Sequence, residues 1–99
     1  MFEKVLAYGR EIKNNRYTPL PVDLIEEIYE GSVGVVRLKV EIYNNASPIE
    51  PCDSLDRAYD KVCSSENEMD IVMYTLMFIA YRNPLVYYEI TKGILNGYC

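Results

Sequence analysis

The sequence predicts an α+β fold: a mainly helical single domain over residues 1–99, with four to five helices and one clear strand in a small antiparallel sheet. Three observations carry this reading. Apolar residues recur every three or four positions through four separate segments, which is the signature of amphipathic helices. Strict alternation replaces that period over residues 35–43. The chain of 99 residues has room for one core and no second domain, and its 49% hydrophobic and 25% charged residues suit a folding chain rather than a disordered one.

In the first segment Phe2, Val5, Leu6, Gly9 and Ile12 share one stripe of a helix from about residue 2 to 13, which Asn14-Asn15 ends. Thr18-Pro19-Leu20-Pro21 is a stiff connection, and either proline suits the first turn of a second helix, where its missing N–H costs nothing. That helix runs to Glu30, with Gly31 as its stop. Beyond Val35 the period changes: Val36, Leu38, Val40 and Ile42 face one way, and Arg37, Lys39, Glu41 and Tyr43 the other. This is the pattern of a strand with one side on a core and one in water. Asn44-Asn45-Ala46-Ser47-Pro48 has the turn chemistry to end it.

Asp53 or Ser54 caps a third helix that carries Leu55, Ala58, Tyr59 and Val62 on one face. Ser65 followed by Glu68 reads as a capping box for a fourth helix, about 66–82, with Met69, Val72, Met73, Leu76, Ile79 and Ala80 at helical spacing. This is expected to be the central helix, with Met69, Met73 and Met77 in the core. For residues 85–92 helix and strand are both open: the run is rich in β-branched and aromatic residues, whereas Asn83-Pro84 is a good helix start and Gly97 a good stop. A single strand cannot satisfy its own backbone hydrogen bonds. Residues 35–43 therefore pair either with residues 85–91 or with a second copy of the chain, and the latter makes a symmetric homodimer.

The composition excludes several functions. Fifteen acids against ten bases give a formal charge of −5, and the bases are scattered, so no direct nucleic acid binding is expected. No signal peptide is read at the amino terminus, and the longest nearly uncharged run, residues 71–81, falls short of the roughly 20 residues of a membrane span. A cytoplasmic protein without a membrane span is the expectation. The absence of His removes the usual general base and the commonest metal ligand. Cys52, Cys63 and Cys99 form no C-x-x-C pair, so zinc and thioredoxin-type chemistry are not expected, and reduced structural thiols are.

Two acidic groups stand out. Asp23, Glu26, Glu27 and Glu30 fall at i, i+3, i+4 and i+7, a continuous stripe opposite Leu24, Ile25 and Ile28. The stripe is either a solvated face or a docking face for a basic partner. Glu50, Asp53, Asp56 and Asp60 gather on or near the third helix but lack the glycine and the terminal glutamate of a calcium loop. Ten tyrosines against two phenylalanines add side chains that combine contact area with a polar tip, and Tyr43 and Tyr87 are among those expected near the surface. No catalytic residue, metal ligand or cofactor is assigned. The expected function is non-catalytic protein binding through Asp23, Glu26, Glu27, Glu30, Tyr43 and Tyr87. The alternative is a small enzyme using the carboxylate cluster or a cysteine, Cys52 before the third helix or Cys63 near Lys61.

The small size, the richness in Tyr and Ile and the absence of His, Trp and Gln resemble, in composition over the whole chain, the small proteins encoded by filamentous and rod-shaped viruses of hyperthermophilic crenarchaea. That resemblance implies an accessory or virion-associated role in the host cytoplasm. It also makes a disulfide through Cys99 more plausible than in an ordinary cytosol, because hyperthermophile proteins retain disulfides.

Overall fold

The computed structural model describes residues 2–30 and 54–83. Four helices make up 80% of these residues: α1 (Phe2–Asn14), α2 (Val22–Glu30), α3 (Leu55–Ser64) and α4 (Glu68–Arg82). Among the described residues there is no strand, so the α+β expectation is corrected to a mainly helical fold. The physical reason lies in how the core closes. Val5, Ile12, Leu24, Ile28, Val62, Leu76 and Ile79 reach full or nearly full burial in one cluster built helix on helix, with no sheet as a layer among the described residues. The strand predicted for residues 35–43, its pairing across a two-fold axis and the segment 85–92 lie outside the described residues.

Helix α4 is the centre of the bundle, packed against both α1 and α3, which also touch each other. Ile71 to Leu76 and Phe78 to Ala80 are all buried, whereas Met69 and Met77 are half-buried against the core. A helix apolar on so many sides suits the interior of a bundle. Helices α1 and α3 are amphipathic instead. Helix α1 buries Val5, Leu6, Gly9 and Ile12, as its spacing predicts, and also Tyr8, which lies off that stripe.

The caps show where local chemistry decided the boundaries. Ser54 stands in extended conformation before α3, and its hydroxyl accepts from the Arg57 N–H at 3.2 Å. Pro21 precedes α2, and its carbonyl accepts the Ile25 N–H at 3.0 Å, opening the helical ladder without needing an N–H of its own. For α4 the predicted capping box is corrected: Asn67, not Ser65, is the cap, and its side-chain oxygen accepts from Met69 and Asp70. Ser65 ends α3 instead, its N–H and hydroxyl both donating to the Lys61 carbonyl at 3.0 and 2.6 Å. Lys13 Nζ donates to the Ser65 carbonyl at 2.9 Å and so ties the end of α1 to the α3–α4 corner.

One side chain fastens the α1–α2 connection. The Arg82 guanidinium, in the last turn of α4, donates to the carbonyls of Arg16 (3.2 Å), Tyr17 (3.2 Å) and Thr18 (2.7 Å) and to the Tyr8 hydroxyl (3.3 Å). Tyr8 in turn donates to the Thr18 carbonyl at 2.9 Å. Burial pushes the Tyr8 phenol above its ordinary pKa, against the opposing pull of Arg82. Three carbonyls of a turn thus find donors they could not find in one another.

Candidate binding surface

The predicted binding residues divide when α2 is placed on the bundle. Leu24 and Ile28 are fully buried and fix which way the helix faces. Asp23 and Glu27 then lie on the edge next to α1, where Lys4 Nζ meets both, at 3.2 Å and 2.7 Å. Half of the acidic stripe therefore has an internal cation. Glu26 and Glu30 point outward, exposed and without an ion-pair partner among the described residues. Tyr43 and Tyr87 lie outside the described residues.

The ion pairs tune one another. Hydrogen bonding from Lys4 holds the Asp23 and Glu27 carboxyls below their ordinary pKa, and the same bonds, that to Glu27 first, hold the Lys4 ammonium above its own. The carboxylate contribution to stability is present above the ordinary carboxylate range and is lost as pH falls through the lowered folded values. The Lys4 contribution is present below the ordinary lysine range and is lost as pH rises through the raised folded value. Replacing Lys4→Met is therefore expected to shrink the loss of stability between pH 7 and pH 3. Urea denaturation midpoints at the two pH values measure this, and an unchanged difference would show that the pairs are screened to nothing, as exposed pairs often are.

Another group of residues joins the outward acids, one that neither the acidic nor the tyrosine reading of the sequence singled out. Val22 is 69% exposed and Tyr29 43% exposed. With Glu26 and Glu30 they fall at i, i+4, i+7 and i+8, so α2 turns a mixed apolar and acidic face to solvent while its other face enters the core. The same spacing is legible in the sequence, as is the Leu24 and Ile28 face that the core takes, but which of the acids a neighbouring helix would pair is not.

A separate polar cluster joins the α1–α2 connection to α3. Arg16 pairs with Asp56 and lies over the Tyr59 ring, 5.1 Å from its centroid, and 5.9 Å from that of Tyr17. Pairing with Asp56 raises the Arg16 pKa further, and the neighbouring Cys63 thiol pushes the Tyr59 phenol up. Cys63 is a free, exposed thiol. Asp60 is exposed, whereas Cys52, Glu50 and Asp53 lie outside the described residues. Among the described residues no three His, Cys, Asp or Glu side chains converge to hold a metal ion. Asp56 is thus engaged by an arginine. No described helix is long and apolar enough to cross a membrane.

These features define a helical bundle with an outward-facing amphipathic helix. No protein-family model, curated protein or solved structure matches the chain.

Proposed function

We propose that this chain is a non-catalytic protein-binding domain that engages its partner through the outer face of α2. The observation that carries the reading is the exposure of Val22 and Tyr29 beside Glu26 and Glu30 on a helix whose opposite face is locked into the core. Tyrosine offers contact area with a polar tip, and unpaired carboxylates beside it favour a partner segment that presents Lys or Arg next to apolar side chains. The net charge of −5 favours a protein partner over nucleic acid. An accessory or virion-associated role in a host cytoplasm, as the compositional resemblance implies, is compatible with such a domain.

The test is affinity capture from the native cell with the wild-type chain, the double variant Glu26→Lys/Glu30→Lys and the control Glu66→Lys, each checked for helical content by circular dichroism. A partner retained by wild type and control but lost from the double variant is the expected result. Equal retention by all three removes α2 from the interface. Self-association is a separate proposal and rests on the sequence alone; light scattering that reads 11.5 kDa at micromolar concentration excludes it.

A further inference from the structure

We draw no further inference here: the strongest candidate, the exposed Tyr17 and Val22 side chains at the two ends of the α1–α2 connection, carries nothing because nothing in the structure shows what covers them.

Discussion

Replacing Arg82→Ala is expected to lower the unfolding free energy by about 2–4 kcal/mol, the largest effect of any single polar substitution among the described residues. The guanidinium is the donor that the carbonyls of Arg16, Tyr17 and Thr18 share, and alanine removes all of these bonds together. A charged donor strengthens each bond, and the part-buried Arg16 carbonyl, which loses this donor, adds its own desolvation cost, whereas the Thr18 carbonyl keeps the Tyr8 hydroxyl. In a domain of this size the loss corresponds to a fall in melting temperature of roughly 10–25 °C.

Arg82→Lys separates charge from geometry. Lysine keeps the positive charge but is a point donor on a flexible stem, whereas the planar fork reaches several acceptors at once, so an intermediate loss is expected. The damage should begin in the connection. The Tyr17 and Thr18 amides, bonded to the Asn15 side-chain oxygen and Asn15 carbonyl at 3.0 Å, should exchange with deuterium before those of α1 and α4. A loss under 1 kcal/mol with unchanged exchange at Tyr17 and Thr18 would mean that water replaces the guanidinium without penalty.

Gly9→Ala should destabilise by roughly 1–3 kcal/mol, against the ordinary rule that alanine improves a helix interior by about 1 kcal/mol over glycine. A Cβ at position 9 would lie 2.4 Å from Thr75 Oγ1 and 2.9 Å from Ile71 Cγ2, closer than real contacts allow. Both belong to buried β-branched side chains of α4, stiff at χ1, so α1 must move off α4 to make room. Thr75 is fully buried, and its hydroxyl finds no hydrogen-bond partner. Thr75→Ala therefore removes the nearest obstacle while taking away no hydrogen bond. In the double variant the Thr75 Cβ stands at an ordinary 3.5 Å while the 2.9 Å approach to Ile71 Cγ2 remains, so the relief is partial. Denaturation of the four chains in a double-mutant cycle should show a favourable coupling above 0.5 kcal/mol. Strict additivity would place the clash elsewhere.

The sequence by itself determined where the four described helices lie. Their apolar periods, the Asn14-Asn15 exit, the cap at Ser54 and the stop at Asn83 are local signals, and each is set by backbone and side-chain chemistry within a turn or two. It also placed Asp23, Glu26, Glu27 and Glu30 on one stripe, since helical spacing alone does that. Tertiary structure decided what those positions do. Tyr8 lies off the apolar stripe of α1 yet is buried, because its hydroxyl meets a loop carbonyl ten residues away. Ser65 and Asn67 are both competent caps by chemistry, and the way α3 ends gave the first to one helix and the second to the next. Lys4 took Asp23 and Glu27 out of the acidic stripe and left Glu26 and Glu30 facing water. The difference is physical: a helix records its own period in neighbouring residues, but the partner of a charged or polar side chain depends on which helix crosses it and at what rotation. No local signal carries that geometry, so which acids of α2 meet Lys4 and which stay in water emerges only once α2 is seated beside α1.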